Sequence, residues 1–229
     1  MAGDLNGRQL VLDLGHRTAL GREDFMVGSS NRSAVDWLDR WPDWPGRGLV
    51  LYGAAGSGKS HLASVWQAVS GAGLLTAGDE TVLRQATAAH RPGECFVVED
   101  VALPFDERAL LHLYNAVTAD GGFLLLTARV APSAMALGLP DLASRLRGLP
   151  SAALSDPDDD LLAVVLMKQL ADRQLVVPVE VVAYLVQRME RSFDTARRLA
   201  AALDHASLVE QKKIDKVLAG KVLARLETG

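Results

Sequence analysis

The sequence predicts an α/β protein, a parallel sheet layered with helices, followed by a small all-helical domain. Three observations predict it. Residues Gly53 to Ser60 read GAAGSGKS and fit the phosphate-loop pattern G-x-x-x-x-G-K-[ST] at every fixed position. On either side, short apolar runs alternate with stretches of helical apolar spacing, which implies right-handed crossovers and parallel strands. After Ser155 only helix-start signals remain. The expected organisation is a tail over residues 1–20, an α/β domain over 21–155 and a helical domain over 156–229.

Each element has a local reason. Gly48-Leu49-Val50-Leu51-Tyr52 is a short apolar strand leading into the glycine loop, and Ser60 to Ser70 carries Leu62, Val65, Trp66 and Val69 at helical spacing. Leu74-Leu75-Thr76 reads as a second strand and Cys95 to Glu99 as a third, with a helix from about Asp79 to Ala89 between them. A helix from about Asp106 to Ala119 then precedes the strand Phe123 to Thr127. In the helical domain Asp156-Pro157-Asp158 starts one helix and Pro178 opens another, while Ser192 or Asp194 caps a third and Asp215 a fourth.

Strand, glycine loop and helix is the context in which this motif binds the phosphates of a nucleoside di- or triphosphate. Gly53, Gly56 and Gly58 permit turns that aim successive N–H groups at an anion, and Lys59 with the helix N-terminus adds positive charge. Lys59 is expected to bridge the β- and γ-phosphates and Ser60 to ligate Mg²⁺, with Ser57 and His61 completing the candidate phosphate-binding set. Such a site needs an acidic partner at the end of a neighbouring strand. Phe96-Val97-Val98-Glu99-Asp100 supplies it, and Glu99 and Asp100 are the candidates for Mg²⁺ and for the attacking water. Glu99 stands where an aspartate is usual, so slow intrinsic hydrolysis is expected.

Composition narrows the class. The 229 residues, 49% hydrophobic and 23% charged, suffice for one core plus a small second domain. No stretch is long and apolar enough to span a membrane, Met1-Ala2-Gly3-Asp4 does not resemble a secretory signal, and the single Cys95 leaves no intrachain disulfide or cysteine metal site. A cytoplasmic location is expected. A net charge of -4 argues against a dedicated duplex-DNA binder. No zinc spacing and no G-x-S-x-G element is present. His61 and His112 are read as packed or surface histidines and not as catalytic bases, and Trp41 with Trp44 as a hydrophobic cover.

Phe25-Met26-Val27-Gly28-Ser29-Ser30-Asn31-Arg32, and the phosphate loop followed by His61-Leu62, resemble the ATPase domain of the bacterial replication initiator DnaA. Leu124-Leu125-Leu126-Thr127 followed by Pro132 is similar to that family's sensor 1 strand. Leu139 to Leu146, LPDLASRL, is similar to its arginine-finger segment, and Thr195-Ala196-Arg197-Arg198-Leu199 to its sensor 2 helix. The resemblance implies an AAA+ fold: a P-loop three-layer α/β/α parallel sheet domain under a helical lid, holding ADP or ATP with Mg²⁺. It implies Thr127 as the polar sensor and Arg145, with Arg147 as competitor, as a finger acting on a neighbouring subunit's nucleotide. Arg197, with Arg198 as competitor, would contact the chain's own phosphates, and Phe25 and Val27 would lie near the adenine. Arg129 stands where the family commonly has an acidic residue, which with Glu99-Asp100 favours holding a nucleotide over hydrolysing it quickly.

In the tail, Gln9-Leu10-Val11-Leu12-Asp13-Leu14 resembles the Q-L-x-L-x-L peptide by which the Hda family of DnaA-related regulators docks on the DNA polymerase III sliding clamp, its β subunit. In an extended peptide Leu10, Leu12 and Leu14 share one side, and Gln9 offers an amide to a rim pocket. The same alternation fits an ordinary edge strand. The resemblance implies negative regulation of replication initiation: the clamp-bound protein stimulates ATP hydrolysis by DnaA, and DNA is reached only through those partners. A homodimer is left open. The alternative is a helicase-loader or truncated initiator-type AAA+ ATPase gripping single-stranded DNA, and a third reading is a free-standing small-molecule kinase. A loader should line a groove with basic and aromatic residues, and aromatics are only 5% here.

Overall fold

The computed structural model describes residues 26–210 and 212–228, so Gln9, Leu10, Leu12, Leu14 and Phe25 lie outside the described residues. Five parallel strands form one sheet in the order β2-β3-β4-β1-β5: β1 (Gly48–Gly53), β2 (Gly73–Thr76), β3 (Phe96–Glu99), β4 (Leu124–Ala128) and β5 (Ser151–Leu154). Val50 of β1 stands opposite Leu126 on one side and Ser151 on the other. Val97 of β3 stands opposite Leu74 and Leu125.

Alternation along these strands creates two apolar faces, as the two-residue period of a strand requires. Val50, Phe96, Val98, Leu124 and Leu126 pack with α3 (Glu80–Ala89), α4 (Glu107–Ala119) and α5 (Pro140–Gly148). Leu49, Leu51, Val97 and Leu125 pack with α1 (Arg32–Asp39) and α2 (Lys59–Ser70). The result is the expected three-layer α/β/α arrangement. Trp66 of α2 is fully buried, with Trp44 stacked on it at 5.1 Å and Trp41 edge-on at 6.1 Å, so the two tryptophans cover that layer.

A second core belongs to the lid, where α6 (Asp159–Ala171), α7 (Val179–Val186), α8 (Phe193–Glu210) and α9 (Lys216–Thr228) enclose Leu162, Leu166, Leu185, Leu199 and Leu203. The caps lie at the expected residues. Asp158 accepts from the Leu161 N–H, Ser192 from Thr195 and Asp215 from Leu218, each filling an orphan donor of a first turn. Of the two candidates for α8, Ser192 is the cap, and Asp194 pairs with Arg197.

Three elements go beyond the sequence reading. The helices α1 and α5 occupy segments read only as family motifs, and β5 is a strand of Ser151-Ala152-Ala153-Leu154. Among the described residues no helix is long and apolar enough to cross a membrane.

Candidate functional site

The glycine loop leaves β1 and enters α2 in a conformation that side chains would block. Gly56 has φ +73, and a Cβ there would meet Ser192 of the lid at 2.8 Å. At Gly53 a side chain would collide with the carbonyl oxygen of Leu154. Lys59, the first residue of α2, is buried and folds back on the loop. Its Nζ donates to the carbonyls of Gly53 at 2.9 Å and Ala54 at 2.6 Å, and lies 3.4 Å from Ser57 Oγ. No carboxylate lies within ion-pair distance among the described residues. Burial pushes its pKa below the ordinary lysine range; Asp100 opposes that, Arg129 adds to it and Glu99 opposes it. A buried ammonium met only by neutral oxygens is costly, and an anion in front of the loop relieves it.

The lid closes directly on this loop. The Phe193 N–H, first in α8, donates to the Gly56 carbonyl at 3.1 Å, and a Cβ at Gly58 would lie 3.1 Å from the Phe193 ring. One turn on, Arg197 lines the cavity in front of the loop and is held by Asp194 at 2.6 Å. Arg198 does not line it. The cavity, about 570 Å³, runs from Ser57, Lys59, Ser60 and His61 past Leu154 to Val165 and Gln169 of α6. This volume suits a nucleotide-sized ligand.

A staple missed in the sequence shapes the far end. The buried Asn31 side chain donates to the Met26 carbonyl at 3.0 Å and accepts from the Gly28 N–H at 2.9 Å. Met26 and Asn31 line the cavity, while the Val27 side chain is exposed and does not. Ser29 Oγ donates to Asp158, and the Ser155 N–H donates to Ser30, so this segment is also tied to the lid junction. The signal in the sequence is an asparagine four residues after the end of the apolar run Phe25-Met26-Val27, a spacing that suits a local side-chain turn.

The acidic pair sits at the C-terminal end of β3. Glu99 is half-buried and closes the strand; Asp100 has φ +54, and its N–H donates to the buried Thr127 Oγ1 at 3.1 Å. Thr127 therefore fixes the backbone that turns Asp100 outward. Neither acid nor Thr127 lines the cavity, but the charges of both acids reach Lys59. Nucleotide-bound Mg²⁺ takes one or two carboxylates plus phosphate oxygens, and Ser60, Glu99 and Asp100 offer that donor set. Among the described residues no group of three or more His, Cys, Asp or Glu is arranged to hold a metal by itself.

Arg145 and Arg147 are elsewhere. Both are exposed in the last turn of α5, a helix packed on the sheet face opposite α2, and neither lines the cavity. Among the described residues neither is paired with a carboxylate. Tyr114 of α4, whose hydroxyl donates to the Gly46 carbonyl at 2.8 Å, is close enough to Arg145 to feel its charge.

Residues 158–216 match the family model described as the Hda lid domain. That match lies within the helical end of the chain. The whole fold is similar to domain III of the Thermotoga maritima replication initiation protein DnaA, with a TM-score of 0.71, 20% identity and coverage of 88% of this chain and 94% of that one. A replication initiator DnaA bound to AMPPCP and single-stranded DNA is similar at a TM-score of 0.66 and 18% identity, covering 90% of this chain and 67% of the other. The Thermotoga maritima RuvB Holliday junction branch migration motor is similar at 0.64 and 14%, over 79% and 62%. These likenesses show the fold, a parallel α/β/α domain followed by helices, and the segment matched by the lid model carries Ser192, Phe193 and Arg197 onto the phosphate loop.

Proposed function

We propose that this chain is a nucleotide-holding, DnaA-related regulator of replication initiation that stimulates ATP hydrolysis by DnaA while tethered to the sliding clamp. The observation that carries the reading is the separation of Arg145 from the chain's own phosphate site: an exposed arginine on the opposite face of the sheet is away from the chain's own nucleotide and free to approach one held by another subunit. Its planar, permanently charged guanidinium suits the charge shared among phosphoryl oxygens at the transition state. The match of residues 158–216 to the Hda lid model supports a replication regulator over a kinase.

ADP or ATP with Mg²⁺ supplies the phosphate charge that the buried Lys59 lacks. The loop amides and Lys59 would bind it, Arg197 would meet it from the lid, and Ser60, Glu99 and Asp100 would hold the metal. Met26 and Asn31 would flank the base. Arg129 in place of an acid beside this site favours retention of nucleotide. Residues Gln9 to Leu14 would dock on the clamp and deliver Arg145 to DnaA.

The test follows labelled ATP bound to DnaA, on clamp-loaded DNA, with the intact chain and with Gln9→Ala and Leu10→Ala combined. Acceleration by the intact chain and none by the variant supports both regulation and tether. No acceleration by either, with both folded and nucleotide-bound, moves the single-stranded-DNA loader reading to the front.

A further inference from the structure

The helix that carries Arg145 has no cap from its own sequence. Leu139 is the residue before its first turn, Pro140 begins it, and no side chain of that segment accepts from its first amides. Instead, the chain just before its first turn is held by another helix. Glu107, in the first turn of α4, accepts from the Gly138 N–H through Oε1 at 2.9 Å and from the Leu139 N–H through Oε2 at 2.6 Å. A carboxylate holding two successive backbone amides makes two charge-assisted bonds and places negative charge at the positive end of α5. It fixes both the position and the direction in which the chain enters the helix.

α4 is itself anchored at that end. Asp106 caps it by accepting from Arg108 and Ala109, and Arg84 of α3 bonds Asp106 at 2.9 Å. Seven residues after Glu107 on the same helix, Tyr114 is within reach of the Arg145 charge, with its hydroxyl donating to the Gly46 carbonyl. α4 thus grips α5 at its start and flanks it at its functional end, while Leu142 and Leu146 fill the core between. From Leu139 to Arg145 the helix rises about 9 Å at 1.5 Å per residue, so a shift at the start is carried to the guanidinium.

We propose that Glu107 is the positioning residue of the trans-acting arginine: its carboxylate sets the placement of α5 and thereby the point at which Arg145 meets the neighbouring nucleotide. The proposal rests on the finger reading of Arg145 given above. A displacement of about 1 Å at a reacting centre costs on the order of a hundredfold in rate.

The experiment measures hydrolysis of the partner's bound ATP against concentration of the full-length chain, for wild type, Glu107→Ala, Glu107→Gln, Arg145→Ala and the Glu107→Ala, Arg145→Ala double variant, with ADP affinity and a melting curve for each. Glu107→Ala should lower the saturating rate about tenfold to a hundredfold, with the half-saturating concentration and ADP affinity within about twofold of wild type. Glu107→Gln keeps the shape with one acceptor oxygen and should fall between, which decides the matter if the alanine variant does not fold. In the Arg145→Ala background, Glu107→Ala should have no further effect. A Glu107→Gln rate equal to wild type, or a Glu107→Ala loss that persists undiminished without Arg145, overturns the proposal. If Arg145→Ala alone leaves the rate unchanged, the finger reading fails and this proposal with it.

Discussion

The Phe193 amide donates to the Gly56 carbonyl at 3.1 Å, so the first residue of the lid's longest helix is bonded to the middle of the phosphate loop. Ser192, one residue earlier, fills the space that a side chain at Gly56 would need. Loop shape and lid position are therefore mechanically linked.

That link predicts a paired effect. Gly56→Ala places a Cβ against Ser192 and holds an alanine at φ +73, a strain of about 1–2 kcal/mol before the clash is counted. The variant should melt lower and bind ADP more weakly. Adding Ser192→Gly removes the clash but also the α8 cap, so ADP affinity should recover while melting temperature does not. Affinity unchanged in the single variant would contradict the link.

Lys59→Ala tests the anion site. ADP at a hundredfold above its Kd should stabilise the wild-type chain by about 2.7 kcal/mol, visible as a rise in Tm. The variant should still melt cooperatively and show no such rise. An undiminished ADP response would mean that the phosphates bind elsewhere.

Asn31→Ala removes both bonds of the staple and leaves the Met26 carbonyl and Gly28 amide unpaired, at a cost of about 1–3 kcal/mol. ADP affinity should fall roughly tenfold by calorimetry, while pyrophosphate affinity holds. Equal losses for both ligands would place the effect on the phosphate loop instead.

His90 gives a pH dependence. Its Nδ1 lies 2.9 Å from the Thr87 carbonyl and its Nε2 2.8 Å from an Asp120 carboxylate oxygen, two acceptors that only the doubly protonated ring can serve. The Thr87 carbonyl first, then Asp120 and Glu94, raise the pKa above the ordinary 6.5, against desolvation. A raised folded pKa stabilises fully below the unfolded value, and that contribution is lost as pH rises through the folded value. Relative to His90→Gln, the wild-type Tm should therefore decline from pH 6 to pH 9. Parallel profiles would contradict the assignment.

The legible parts of the fold were those with strong local periodicity. The strands β1 to β4 are apolar runs and are legible to within one or two residues, as are α2, α3 and α4. β5 is not legible because Ser151-Ala152-Ala153-Leu154 has little strand propensity and, among the described residues, is held by pairing with β1, a tertiary effect. The phosphate loop announced itself through its glycines. Asn31 and Glu107 did not, because each acts on backbone amides or carbonyls whose location depends on the fold, and Glu107 reaches residues 31 and 32 positions away.

The most direct test of the account is the single-turnover rate at which ATP bound to DnaA becomes ADP on clamp-loaded DNA, with wild type or Arg145→Ala in excess. Arginine fingers contribute about 10³–10⁵ in rate, so the variant should abolish stimulation while retaining fold, ADP binding and clamp binding. An Arg145→Ala protein that stimulates as well as wild type would show that this arginine does not act in trans, and the regulatory mechanism proposed here would be wrong.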